Sequence, residues 1–312
     1  MSYHIVTIDS PKCELTCERG QLLCFRDGEV TPKQLPIEDI GAIIVTSFAA
    51  RFSASLLLEA AKNGVALVLC ENFKPASLVL PANRASDTFL TKAWQCVDKK
   101  FRAALWRKTI DAKCANQAFL ATNLAPAHPK TTDLARAAAR PSAEKESACA
   151  RFYWQVFASL SPADAGSVFM RDPEIDGTNA LLNYGYAVLL STVLQKLFAI
   201  GLDPTFGIGH AVRERSTPLA YDLMEPFRPC VDLRVLQWLR GEGAGQPPVV
   251  TREFKQWVTG FVLERVGELE IEIDVRGAIE GVARSFRNAL LNRRLGAYKP
   301  WTASNTKWAG SL

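Results

Sequence analysis

The segment "NALLNYGYAVLLSTVLQKLFAI", Asn179 to Ile200, constrains this chain most. It carries a single charge, Lys196, and is apolar on nearly every face of the helix it would form. A helix that is apolar all round has to be buried. It is therefore expected at the centre of a fold, with the rest of the 312 residues wrapped around it. No uninterrupted apolar run has the length that spans a bilayer, so no membrane partner is expected. The opening "MSYHIVTIDSP" lacks the basic-then-apolar form of a signal peptide, and a cytoplasmic location is expected. Eight scattered cysteines without a CxxC pair read as buried, reduced thiols rather than a disulfide or zinc framework.

Upstream of that segment the periodicity changes. "YHIVTI", "CELTC", "QLLCF", "IGAIIVTS", "VALVLC" and "ASLVLP" are short β-prone runs, punctuated by "DSPK", "ERG" and "RDGE". "SASLLLEAAKNG" is one helix, capped by Ser53 and stopped at Gly64. "PANRASD", residues 81–87, is a hinge by composition. Beyond it the text is helical, from "TFLTKAWQCVDKKFRAALWRKTIDAKCANQAFLATNLA" to "VRGAIEGVARSFRNALLNRR". Pro141, Pro226 and Pro229 disturb the helices that contain them. The predicted class is α+β, with a small β-rich domain over residues 1–84 and a larger all-α domain over 88–312.

Net charge is only +5, but it is unevenly spread. Between Lys92 and Arg151 twelve basic residues face five acids, and "RSFRNALLNRRLGAYKPWTASNTKWAGSL" has no acid. Two basic zones with interleaved tryptophans suit a phosphate-rich partner, and equally a solvated helix face with a loose tail. Lys99, Lys100, Arg102, Lys108, Arg136, Arg140, Arg293 and Arg294 are the candidate contacts to a nucleic-acid backbone.

The stretch "GIGHAVRERSTPLAYDLMEPFRPCVD" holds one of three histidines, His210, on a glycine-rich loop. Asp222 and Glu225 follow at i and i+3, sharing a helix face. Two carboxylates among Leu219, Leu223 and Met224 need a compensating cation. Arg213, Arg215 or Arg228 could supply it, or a metal ion, or both. A third acid, Glu146, lies on a helix with an apolar face. Glu146, His210 and Glu225 would make a mixed carboxylate and imidazole site suited to Mg²⁺ or Mn²⁺. His4 and His128 have no such context and read as surface or structural.

"ARFYW", "LNYGYAVL", "GLDPTFGIGH" and "STPLAYDLMEPFRPCVD", in that order, resemble the CRISPR-associated spacer integrase family, CRISPR-associated protein one. "IEDIGAIIVTS", "SASLLLEAAKNGVALVLC" and "KPASLVLP" resemble its β-domain, so the likeness covers nearly the whole chain. The resemblance implies a β-domain that dimerises and contacts a partner, joined to a helical catalytic domain. It implies a metal site to which His210, Glu225 and Glu146 correspond. Glu144, two residues before Glu146, is the alternative first ligand, and the register to Tyr153 favours Glu146. Asp222 would orient His210 or a ligated water, or else be paired to an arginine. Asn183 and Tyr184 would line the site or simply pack. Arg228 would touch phosphate or neutralise its acidic neighbours.

The chemistry so implied is transesterification on double-stranded DNA. The 3′-hydroxyl of a short captured fragment, the prespacer, attacks a phosphodiester at the edge of a CRISPR repeat. The resemblance also implies a homodimer bridged by CRISPR-associated protein two. A stand-alone metal-dependent branched-DNA nuclease, a transposon-type integrase and a non-catalytic DNA-binding subunit are the competing readings.

Overall fold

The computed structural model describes residues 4–10, 12–71, 74–79, 88–162, 169–172, 174–211, 216–268 and 271–303. The composition hinge 81–87 and the arginines Arg213 and Arg215 lie outside them.

Two four-stranded sheets form the first part. One has β1 (His4–Ile8), β5 (Ile40–Val45) and β7 (Ala66–Glu71) in parallel, with β8 (Lys74–Val79) antiparallel at its edge. The other orders β4 (Lys33–Pro36), β3 (Gln21–Arg26), β2 (Lys12–Glu18) and β6 (Ala49–Phe52). In β2 the side chains alternate, with Cys13, Leu15 and Cys17 buried and Lys12, Glu14 and Glu18 exposed. This inward face packs with Ile8, Ile43 and Val45 of the first sheet. Helix α1 (Ala54–Lys62) makes the crossover from the first sheet's β5 to β7. Ser53 caps it by accepting from Leu56 N at 3.2 Å, and Gly64 ends the turn at φ +72°.

The helical part begins with α2 (Thr88–Gln95) and α3 (Lys99–Leu124). The sequence reads these as one stretch. Asp98 separates them, because its carboxylate accepts from Phe101 N at 2.7 Å and starts a new helix. Next come α4 (Pro129–Ala139), α5 (Lys145–Leu160) and α6 (Thr178–Ile200). α7 (Pro218–Met224) and α8 (Arg228–Arg240) are joined by a tight 3₁₀ turn at Glu225–Phe227. The turn falls where Pro226 and Pro229 deny the chain backbone donors. α9 (Arg252–Thr259) and α10 (Val275–Asn292) complete the domain. A two-stranded hairpin, β9 (Arg265–Glu268) and β10 (Ile271–Asp274), also sits here. The expectation of an all-α second domain is corrected to that extent: "RVGELEIEID" alternates with a period of two, not 3.6.

α6 is the hub. Leu181, Leu182, Leu189, Val193 and Leu197 are buried, as the all-round apolar pattern requires. At Gly185 a Cβ would stand 2.4 Å from Val231 of α8, so only glycine permits that approach. The far end of α6 touches the first sheet, where Phe198 and Ala199 join Ala42, Ile44, Ala66 and Val68. One helix thus links the sheets to the helical core.

The described part of the tail, up to residue 303, departs from its reading as a basic, tryptophan-bearing surface. Tyr298 and Trp301 are core residues, with Trp301 stacked on Phe227 at 5.2 Å and donating to Gly267 O. Of the eight cysteines seven are buried, and Cys96 is exposed.

Candidate active site

The site is assembled in two halves. The first is the loop Gly207–His210 held against α7. The Asp222 side chain is fully buried and collects four donors from that loop. Ile208 N and Gly209 N donate to Oδ2, while His210 N donates to Oδ1 at 2.9 Å. The His210 ring joins them, with Nδ1 at 2.8 Å from Oδ1. This last contact is the main reason the His210 pKa is raised, against the opposing effect of burial. In the neutral ring, Nδ1–H donates a hydrogen bond to Asp222 and Nε2 keeps its lone pair.

The glycines are there for room. A Cβ on Gly207 would lie 2.9 Å from Asp222 Oδ2, and one on Gly209 would lie 2.3 Å from the Trp106 indole. Trp106 of α3 also meets the His210 ring edge-on at 5.6 Å, and Tyr221 flanks it at 5.8 Å. Arg102 Nε donates to Ile208 O at 3.3 Å, which closes the loop from the other side.

The second half gathers charges from three elements. Glu225 opens the 3₁₀ turn between α7 and α8, and its side chain is 4% exposed. Arg228 Nε donates to its Oε1 at 2.8 Å. Its Oε2 lies 2.6 Å from Lys113 Nζ of α3, close enough for an ion pair but without an aligned hydrogen bond. Glu146, in the first turn of α5, reaches the same ammonium at 2.7 Å. Burial opposes ionisation of Glu225, yet Arg228 and Lys113 outweigh it and hold the carboxyl below its ordinary range. Burial likewise opposes the charge on Lys113, and Glu225 and Glu146 overcome it, raising its pKa. Asn116, one turn along α3 from Lys113, donates to Pro226 O at 2.8 Å and so fixes the turn that carries Glu225.

Beside this cluster is a cavity of about 170 Å³, lined in part by Lys113, Arg171, Tyr186, Glu225, Arg228 and Asp232. Asp232 is buried and accepts from both Tyr186 and Tyr153. Burial pushes its pKa up to about 6, although the two tyrosine hydroxyls pull the other way. Arg228 lies over the Tyr186 ring at 4.6 Å.

These positions sort the sequence-based candidates. Glu146 shares a cation with Glu225, while Glu144 is exposed at the helix N-cap. His210 and Asp222 are paired directly. Asn183 accepts from Arg171 at 2.9 Å, one step from the cavity. The expectation that Tyr184 lines the site is corrected. Its ring packs edge-on to Phe254 at 6.2 Å under Lys255, and Tyr186, two residues on and so on the opposite helix face, lines the cavity instead. Arg228 neutralises Glu225. Lys108 is corrected as a free backbone contact, because its ammonium is spent on Tyr298 O at 2.6 Å and Leu295 O at 3.3 Å. Arg293 donates to Cys96 O, and Arg102 to the His210 loop. Lys99, Lys100, Arg136, Arg140 and Arg294 are exposed. His128 caps α4 by accepting from Lys130 N at 3.2 Å, a structural role.

Lys113, Asn116, Trp106, Tyr186, Arg171 and Asp232 were not singled out from sequence. A signal existed for the first two. Thr109, Lys113, Asn116 and Gln117 recur at helical spacing on α3 beside buried positions, a polar stripe turned inward.

Could these side chains hold a divalent ion? Among the described residues no three His, Cys, Asp or Glu side chains already stand together as a ligand set. The donors nevertheless suit one. Two carboxylates, one from α5 and one from the α7–α8 turn, already converge on a single cation, and His210 has one ring nitrogen to spare.

A β-rich part docked on a helical domain, with paired acids and an oriented histidine at the helix junction, defines a helical protein with a carboxylate–imidazole site. The chain belongs to the Cas1 family: the model for CRISPR associated protein Cas1 matches residues 6–246. It is 31% identical over 228 residues to a CRISPR-associated endonuclease Cas1 of Neisseria meningitidis serogroup C (strain 8013), covering 72% of each chain. Its fold is similar to a casposase bound to integration product, with a TM-score of 0.72 at 20% identity over 96% of this chain and 99% of that one. It is also similar to a chain of a partial Cas6-RT-Cas1–Cas2 complex, with a TM-score of 0.76 at 16% identity over 97% and 99%.

Proposed function

We propose that the chain is a CRISPR adaptation integrase with DNA endonuclease activity, using Mg²⁺ or Mn²⁺ held by Glu146, His210 and Glu225. The observation that carries this is the convergence of Glu146 and Glu225 on one cation, together with a histidine that Asp222 orients and Glu225 reaches electrostatically. Membership of the Cas1 family supports the reaction class. A bound divalent ion would supply stabilisation of the charge that develops as one phosphodiester replaces another. Asp222 keeps the His210 ring oriented and its loop closed. Arg228 and Lys113 keep Glu225 ionised, which a carboxylate ligand requires. The 3′-hydroxyl of the captured fragment attacks the repeat phosphodiester, and the displaced 3′-oxygen leaves. One ester bond forms as one breaks, so no nucleotide cofactor is consumed.

The DNA partners would be a prespacer duplex and the repeat, reached through exposed cations such as Lys99, Lys100, Arg136, Arg140 and Arg294. The solved complexes of relatives with Cas2 support Cas2 as the bridging partner. A homodimer through residues 1–84 fits the exposed apolar side chains Phe25, Val30 and Phe48 of that part. Among the described residues no helix is long and apolar enough to cross a membrane, and the work would be done in a prokaryotic cytoplasm.

The test is strand transfer of a short duplex with free 3′-hydroxyls into a plasmid bearing a repeat array, with Mn²⁺ or Mg²⁺, with and without Cas2. Joined product should fall at least about a hundredfold in His210→Ala and Glu225→Ala while duplex binding persists. Cleavage without joining, Cas2 present, would favour a stand-alone nuclease. DNA binding without any metal-dependent change would leave a non-catalytic subunit.

A further inference from the structure

Lys113 stands between the two carboxylates that the proposed metal site would use. Its ammonium lies 2.7 Å from Glu146 Oε1 and 2.6 Å from Glu225 Oε2. We propose that Lys113 is a resident counter-ion, which holds the two carboxylates together before metal arrives and is exchanged for the ion on loading. This rests on the metal-site reading above.

Charge supports exchange over simple addition. Glu146 and Glu225 carry two negative charges, and Lys113 and Arg228 carry two positive ones. The cluster is therefore balanced as it stands. A dication added beside an unmoved Lys113 would leave an uncompensated excess near the buried Glu225, which is costly in a low-dielectric setting. Moving one ammonium aside removes part of that excess.

Geometry supports it too. Arg228 holds Glu225 Oε1 with an aligned hydrogen bond. Oε2, the other oxygen, is buried and has Lys113 as its ion-pair partner at 2.6 Å. Exchange at Oε2 would break one Lys113 ion pair and leave the Arg228 hydrogen bond to Oε1 in place. A lysine ammonium is a point charge on a flexible stem, unlike a guanidinium fork. Lys113 also lines the 170 Å³ cavity, which gives its stem somewhere to go. Without Lys113 the two acids would repel, and Glu146, 42% exposed, would be free to turn to solvent. Lys113 is in this sense a positioning residue, keeping the ligands together at the expense of competing with the metal.

The exchange can be read without activity. Mn²⁺ binding to the purified full-length chain is followed by loss of the free-ion electron paramagnetic resonance signal, in wild type, Lys113→Gln, Lys113→Arg and Glu225→Gln. Lys113→Gln should bind Mn²⁺ about tenfold more tightly than wild type, because its competitor is gone. Lys113→Arg should bind no more tightly than wild type. Binding in wild type that Glu225→Gln abolishes, together with equal or weaker binding in Lys113→Gln, would overturn the exchange and leave the metal site standing. No Glu225-dependent binding in either wild type or Lys113→Gln would overturn both. Should Lys113→Gln fail to fold, acetylation of lysines in wild type by acetic anhydride, read by mass spectrometry, decides the matter. Labelling of Lys113 should rise several-fold on adding Mn²⁺, and unchanged or reduced labelling would overturn the proposal.

Discussion

The two halves of the site are built on different principles. His210 and Asp222 are 12 residues apart, and the loop between Gly207 and His210 folds straight onto the carboxylate. That half is local, closed by backbone donors, and locked by the packing of Gly209 on Trp106. The acidic half has no local logic. Lys113, Glu146 and Glu225 come from α3, α5 and the turn after α7, distant in sequence, and their side chains meet through charge. The first half is rigid by hydrogen bonding. The second is held by an ammonium that can be replaced. Under the proposed metal site, one ligand would be fixed while the others admit an ion, and the division would serve both.

The sharpest way to break this contrast is to remove one acid from each half and measure unfolding. Asp222→Ala strips partners from three loop N–H groups and the histidine ring, and should cost about 3–5 kcal/mol. Glu146→Ala removes a carboxylate that is largely in reach of water, while Lys113 keeps Glu225. It should cost less than about 1 kcal/mol. Equal losses in denaturant midpoints would mean that the halves do not differ as described.

A smaller effect concerns Asp232, behind the acidic half. Its folded pKa of about 6 lies above the ordinary carboxyl value of 3.8. The folded state thus binds this proton more tightly than the unfolded chain. The associated stability is fully present below about pH 4 and is lost as pH rises through about 6. Wild type should lose on the order of 2 kcal/mol relative to Asp232→Asn between about pH 4 and pH 7. Parallel stability–pH curves for the two proteins would show that burial does not raise this carboxyl.

The same division decides what the sequence made legible. "GIGH" followed by "YDLME" announces itself, because a scarce histidine, tight glycines and two acids lie within one short stretch. The central helix is as plain, since an apolar surface all round leaves it one place to go. The sheets follow from alternation, as in "KCELTCE". Lys113 reads from sequence only as one of twelve basics, because nothing in its own neighbourhood says that α5 and the α7–α8 turn will meet it. Tyr184 and Tyr186 could not be told apart on a helix buried on every side, where periodicity carries no direction. Lys108 and Trp301 read as surface because each lies in a zone of basic composition, whereas long-range contacts to carbonyls and to Phe227 decide their places.

The most direct test of the two-part site is anomalous diffraction from crystals soaked in Mn²⁺. A manganese peak within bonding distance of Glu146, Glu225 and the free nitrogen of His210, with the Lys113 ammonium withdrawn from between the acids, is the expected result. Lys113 still bridging Glu146 and Glu225 at saturating Mn²⁺, with the ion bound elsewhere or not at all, would contradict the account.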